Sequence, residues 1–333
     1  MANVLLTEKC VRSCPYCFAK KQMGDSDEQK LKWDDLIYIA DLHEATGDKA
    51  IALLGGEPTL HPDFTDYVLY LLERGFHVNV FTSGIMSDNT FEETARTLTP
   101  VHPERLSFVC NVNDPELSPF PELENVRRFL KVFGHLTVPG FNIYRPDFSI
   151  DFIFQYINLY GLKRHIRLGL AHPIPGTHNQ FLELKDMKDF ASKLISYLPV
   201  FERLQIKIGF DCGFPMCLFS DEEIGKLYKV NSGQVRFTCG PAIDIGSDMT
   251  VWSCFPLSNY HKKPIYDFDS IRDIGKFYED RHQAIRAEVG GIFEECDDCA
   301  YRRDRLCHGG CIAHLLSKFN SEPRIRMKEV YNE

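Results

Sequence analysis

Asn3-Val-Leu-Leu-Thr7-Glu-Lys-Cys10-Val-Arg-Ser-Cys14-Pro-Tyr-Cys17 is the stretch on which the fold turns. It opens as a short apolar strand over 3–7 and runs straight into three cysteines spaced C-x3-C-x2-C. Working outward, strand-like and helix-like segments alternate for about 200 residues. The Val-, Ile- and Phe-rich runs at 50–54, 77–82, 106–112, 166–170 and 204–210 read as strands, with one more at either 135–138 or 141–144. Helical periodicity places helices over 33–45, 64–74, 89–99, 121–133, 149–160 and 184–198. Such alternation implies parallel strands joined by right-handed crossovers. About six units are visible, fewer than the eight of a closed barrel. The expected fold is α/β, a partial (β/α)6 TIM-like barrel followed by a small loop-rich module, with a doubly wound open sheet as the alternative. In either arrangement the reactive groups belong at the C-terminal ends of the strands. After residue 211 Gly, Pro and Cys become frequent, so the expected division is a barrel over 1–205, a cysteine-rich module over 206–316 and a polar tail over 317–333.

Composition narrows the function. Of 333 residues, 44% are hydrophobic and 26% charged, which excludes a disordered or fibrous chain. Lys and Arg number 38 against 47 Asp and Glu, a formal charge of −9 that disfavours nucleic acid as partner. No apolar run reaches the ~18 residues of a membrane span. Glu8 and Lys9 arrive too early for a signal peptide, so a cytoplasmic location without membrane contact is expected. There are 12 cysteines: three over 10–17, eight over 212–311, and Cys110 alone. Clustered thiols in a reducing compartment point to metal or iron–sulfur ligation, not disulfides.

Three thiolates on one compact loop can hold three irons of a [4Fe–4S] cube and leave the fourth open to a ligand that is not protein. Zinc would want a fourth ligand, for which only His43 and His61 are available nearby. Two further marks accompany the loop. Gly55-Gly56-Glu57-Pro58 stands at the end of the second strand, and Thr82-Ser83-Gly84 at the end of the third. Together with Tyr16 before the third cysteine, these features resemble the radical S-adenosylmethionine (SAM) enzymes, with Ser83 where the family has Asn. The resemblance implies that Cys10, Cys14 and Cys17 ligate a cluster, that SAM chelates its open iron, and that one-electron cleavage yields a 5′-deoxyadenosyl radical. Tyr16 would lie beside the adenine, and the amides and acid of Gly55, Gly56 and Glu57 would meet the methionyl ammonium. Thr82 and Ser83 would border the cofactor, while Asn111 and the backbone from Arg167 and Leu168 onward would contact ribose and adenine. Taken alone, Gly55–Glu57 reads as a strand-end turn and Thr82–Gly84 as a helix N-cap.

The second group comprises Cys212, Cys217, Cys239, Cys254, Cys296, Cys299, Cys307 and Cys311. Eight thiolates would ligate two cubes. Cys239-x14-Cys254 and Cys296-x2-Cys299-x7-Cys307-x3-Cys311 resemble the SPASM module that follows many radical SAM barrels. Three departures stand out: Met249 occupies a glycine slot, the middle spacing is x7, and no cysteine follows Cys311. One of Cys212 and Cys217 would join Cys239, Cys254 and Cys311, and the other would join Cys296, Cys299 and Cys307; the order is open. His308, Asp297 and His314 are competing ligands, and a Zn(Cys)4 site of the last four cysteines is the plainer alternative. Cys110 reads first as a small core residue and second as a hydrogen donor. His172–Gly176 is a proline turn near the expected cavity, and Arg302-Arg303 a solvated pair.

The resemblance implies a radical SAM oxidoreductase or isomerase with one or two auxiliary [4Fe–4S] clusters and a flavodoxin or ferredoxin-type reductant. The expected substrate is a peptide or protein side chain, undergoing oxidation, cross-linking or epimerisation. A barrel starting so near Met1 leaves no room for an N-terminal peptide-recognition domain, which tempers that expectation. Sugars or other small metabolites are the alternative, and a non-catalytic iron–sulfur or zinc electron carrier is the alternative of another class. No H-E-x-x-H set supports a zinc hydrolase.

Overall fold

The computed structural model describes residues 2–19, 29–211 and 213–321; Cys212 and most of the expected C-terminal tail lie outside the described residues. Seven strands pair in parallel in chain order: β1 (Ala2–Leu5), β2 (Ala50–Leu54), β3 (His77–Thr82), β4 (Leu106–Asn111), β5 (Thr137–Ile143), β6 (His165–Leu170) and β7 (Lys207–Phe210). The crossovers carry α1 (Trp33–Glu44), α2 (Phe64–Glu73), α3 (Asp88–Leu98), α4 (Phe120–Phe133), α5 (Asp151–Tyr160), and the pair α6 (Met187–Ser196) and α7 (Leu198–Leu204). Six crossovers between seven parallel strands make the expected partial TIM-like barrel. Its core lies between sheet and helices, where Phe108 of β4 packs on Phe129 and Phe133 of α4.

The fifth strand was expected on one side of Pro139-Gly140 or the other, and instead runs through both. Proline lacks a backbone donor and glycine a side chain, so the pair reads as a break. Here Gly140 has a use: an added Cβ would lie 2.8 Å from Asn111 Oδ1, so the missing side chain leaves room for Asn111 beside the strand.

Beyond β7 the chain forms α8 (Asp221–Val230), β8 (Asp244–Ile245), β9 (Thr250–Trp252), β10 (Lys263–Pro264), α9 (Ile271–Val289), the short α10 (Ala300–Arg303) and α11 (Ile312–Ser321). The stretch read as losing helical periodicity thus contains the 19-residue α9. Its inner face is Ile271, Ile274, Tyr278, His282, Ile285 and Arg286, and the His and Arg in that row disguise the apolar stripe. The three short strands continue the main sheet. β8 runs parallel to β1, and β9 and β10 follow antiparallel. The join is fastened by Asn3, whose Nδ2 donates to Asp244 Oδ1 at 2.7 Å. No helix among the described residues is long and apolar enough to cross a membrane.

Burial raises the Asp244 carboxyl to about 7, against the pull of the Asn3 donor. The folded chain therefore keeps a proton that the unfolded chain releases near pH 4, and this group makes stability fall as pH rises from about 4 to about 7. Asn3→Ala removes a donor that favours the charged form, so its cost is expected to grow from pH 6 to pH 8, reaching about 2 kcal/mol. Urea unfolding at the two pH values reads this out; an equal cost at both would show that the bond does not serve the ionised carboxylate.

Candidate active site at the cysteine loop

The loop after β1 is held by backbone as much as by side chains. The amides of Gly56 and Glu57 donate to the carbonyls of Thr7 and Lys9 at 2.9 and 2.8 Å. A side chain at Gly55 would sit on the Thr7 carbonyl, and one at Gly56 on the Lys9 carbonyl and 2.8 Å from Cys10 Cβ. The two glycines are thus required for the loop to lie against the end of β2. Within the loop, the Cys17 amide donates to the Cys14 carbonyl at 3.2 Å. Burial pushes the Cys10 thiol up to about 11, and the fields of Glu57, Cys14 and Cys17 push the same way. Three thiols within each other's electrostatic reach on one loop suit one compact electron-poor centre that would take them as thiolates.

Glu57 is 1% exposed and heavily bonded. One carboxylate oxygen accepts from Thr59 Oγ1 at 2.9 Å, Thr82 Oγ1 at 2.7 Å and the Thr59 amide at 3.4 Å. The other accepts from the Ser83 amide at 2.7 Å and Ser83 Oγ at 2.5 Å. The carboxylate therefore ties the end of β2 to the end of β3. Neither Thr82 nor Ser83 caps the following helix; Ser87 does, accepting from the Thr90 amide at 3.2 Å. An ammonium group is donor-only, as is an amide, and two amides of this turn are already spent. Both Glu57 oxygens likewise have partners within the fold.

Tyr16 is buried and stacks on Tyr144, ring centroids 5.1 Å apart at 29°. Its hydroxyl donates to Asn113 Oδ1 at 3.0 Å, and burial raises its pKa. These residues line a cleft of about 180 Å³ with Phe141, Asn142 and Arg145, just past the ends of β4 and β5. Asn111 and Arg167 meet inside the sheet, Nη1 to Oδ1 at 3.2 Å. Arg167 also pairs with Asp211, whose carboxyl burial holds above its usual range despite that partner. Leu168 is fully buried, and its carbonyl accepts from the Asp211 amide at 3.0 Å. On this strand Arg167 carries the polar side chain, and Leu168 serves the core.

Arg12, between the first two cysteines, went unread in the sequence. It donates to the Asn111 carbonyl at 2.6 Å and pairs with Glu122 at 2.7 Å, anchoring the loop to β4 and α4. A lone cation among cysteines was the available signal. Cys110 is fully buried on the helix side of β4; a Cβ at Gly84 would lie 3.1 Å from its sulfur and 3.3 Å from Phe129. That is the small core residue, away from the cleft.

The second half of the chain packs onto this loop. Phe18, next to Cys17, meets Phe255, next to Cys254, with centroids 5.6 Å apart, and Trp252 is buried in the same cluster. Of the competing ligands, His308 Nδ1 lies 2.9 Å from the Cys239 carbonyl, and Asp297 pairs with Arg302 at 3.6 Å. His314 stands edge-on to His172 at 5.4 Å. Arg302 is no solvated charge: it donates to the Arg286 carbonyl at 2.8 Å and the Cys296 carbonyl at 3.2 Å.

The radical SAM superfamily model matches residues 4–135, from β1 through α4. The chain carries a radical SAM domain. The cofactors of that superfamily are a [4Fe–4S] cluster and SAM, and the loop's three thiols and two-glycine turn fit them. Among curated proteins, a SAM-dependent nucleotide dehydratase of Selenomonas ruminantium is 34% identical over 87 residues, 26% of this chain and 31% of that protein. The matches to the first curated relatives span about a third of their length or less. Among solved structures, Streptococcus suis SuiB bound to SAM aligns with TM-score 0.67 at 16% identity, covering 100% of this chain and 77% of SuiB. SuiB bound to its precursor peptide SuiA aligns with TM-score 0.65 at 15% identity, over 100% of this chain and 75% of that one. anSMEcpe with AdoMet and the Cp18Cys peptide aligns with TM-score 0.66 at 16% identity, over 94% and 88%. The fold shared with SuiB and anSMEcpe thus extends through the cysteine-rich half.

Glu57→Gln is expected to destabilise the radical SAM domain by about 2–3 kcal/mol, because one carboxylate oxygen becomes a donor facing donors. Urea unfolding under anaerobic conditions measures it. A change under about 0.5 kcal/mol would remove Glu57 from the role of clamp.

Proposed function

We propose that this chain is a radical SAM oxidoreductase or isomerase that modifies a peptide or protein side chain, with auxiliary iron–sulfur clusters assisting. The observation that supports it most is the C-x3-C-x2-C loop, seated at the C-terminal edge of β1 while its own Tyr16 walls the adjoining cleft. With Cys10, Cys14 and Cys17 as ligands, a cluster bearing SAM on its open iron supplies one-electron cleavage of the sulfonium and removal of a hydrogen atom from substrate.

The chain's own residues do the rest. Glu57 holds the ends of β2 and β3 together, so the two-glycine turn keeps the cysteine loop in place. Arg12 fixes the loop's middle to β4. Tyr16 and Tyr144 offer stacked rings to a purine. Arg167, held by Asp211, and Asn111 offer fixed polar groups to a ribose. Phe18, Trp252 and Phe255 exclude water from the outer side of the loop. A small flavoprotein or ferredoxin of the cytoplasm would deliver the electron.

The peptide reading is supported by SuiB and anSMEcpe, both solved with peptides bound. The nucleotide dehydratase among the relatives supports the runner-up, a nucleotide, sugar or other small metabolite. Anaerobic protein, reconstituted with iron and sulfide, is given SAM, dithionite and either a mixed peptide library or a mixture of nucleotides and sugars. The expected result is 5′-deoxyadenosine in both, raised about tenfold or more by the peptides. Stimulation by the nucleotide and sugar mixture instead would overturn the substrate class, and no 5′-deoxyadenosine at all would favour the electron carrier.

A further inference from the structure

The cysteines of the second half divide in space. A short turn, Met216–Leu218, carries Cys217. Its Met216 amide donates to Cys307 Sγ at 3.5 Å, and the Gly309 amide donates to the same sulfur at 3.3 Å. A Cβ at Gly309 would lie 3.7 Å from Cys296 Sγ, so Cys296 and Cys307 flank one glycine. The Cys299 amide turns back to the Cys296 carbonyl at 3.5 Å. From the outside, Tyr301 of α10 donates to Asp221 of α8 at 2.8 Å, pinning the helix after Cys299 to the helix after Cys217.

Cys254 and Cys311 lie elsewhere, packed together with Leu257, Ile285 and Ile312 in a separate small apolar cluster. The thiols fall into the same two neighbourhoods. Cys217 lies within electrostatic reach of Cys296, Cys307 and Cys299. Cys311 and Cys254 lie within reach of each other and of Cys239.

We propose that Cys217, Cys296, Cys299 and Cys307 together ligate one auxiliary [4Fe–4S] cluster, Cys217 standing in for the cysteine that the SPASM pattern places after Cys311. This rests on the iron–sulfur reading of the second half. It splits Cys311 from the three cysteines with which it would have formed a Zn(Cys)4 site.

The test uses the C10A/C14A/C17A protein, in which any iron belongs to the second half. Iron and sulfide per chain are counted for it and for added C217A, C296A, C217A/C296A and C217A/C254A. The expected result is that C217A and C296A each lower iron by about one to four atoms. The pair C217A/C296A loses at most the four irons of one cube, while C217A/C254A draws on two cubes and loses more than either single change, the signature of shared and separate sites. An unchanged count in C217A, or a loss of more than about four irons in C217A/C296A, overturns the assignment. Should C217A fail to fold, iodoacetamide footprinting of the wild-type loaded protein decides: Cys217 protected until chelation, alongside Cys296, supports the assignment, and free labelling of Cys217 overturns it. A triple variant that binds zinc or no metal overturns the iron–sulfur reading itself and is distinguishable from a misassigned Cys217.

Discussion

One buried carboxylate organises the working end of this molecule. Glu57 accepts from Thr59, Thr82 and Ser83 and so closes the gap between the ends of β2 and β3. An ionised carboxylate with good donors on both oxygens is far better placed than one buried without them. The turn it stabilises presents Gly55 and Gly56, against which the cysteine loop lies at backbone distance. The position of the three thiols therefore depends on a charge they do not touch as ligands would. Arg12 completes the fixation by reaching the end of β4 and Glu122.

From that point the structure reads as one continuous sheet. β8 adds directly to β1, so the strand that leads into the first cysteine loop also carries the second half of the chain. Phe18 on Phe255 joins the residue after Cys17 to the residue after Cys254. His172, beyond the end of β6, stands against His314, and a Cβ at Gly213 would lie 3.4 Å from Cys311 Cβ. The cysteine-rich half is thus packed on the barrel at its first loop and again past its sixth strand.

Much of this was legible in the sequence because it is local. The strand–helix alternation and the C-x3-C-x2-C loop are patterns of near neighbours, and the seven barrel strands fall close to where they were expected, apart from the continuous β5 and a β7 that starts later because α7 occupies 198–204; the short β8, β9 and β10 were not foreseen. What was not legible depends on distant pairs. Nothing in Gly55-Gly56-Glu57 says that its acid serves Ser83 or its amides the carbonyls of Thr7 and Lys9. The α9 helix was hidden because His282 and Arg286 take inward positions that periodicity assigns to apolar residues. The division of Cys217 from Cys311 follows from a turn and a glycine brought together across about 90 residues, which spacing alone does not encode.

The central claim is that three thiols of the first loop hold a cube with one iron open to SAM. Mössbauer spectroscopy of the 57Fe-reconstituted chain, with and without SAM, tests it most directly. The account predicts that SAM shifts the signal of one iron, and that the shift vanishes in C10A/C14A/C17A. Identical spectra with and without SAM, or a shift that survives loss of those three cysteines, would contradict it.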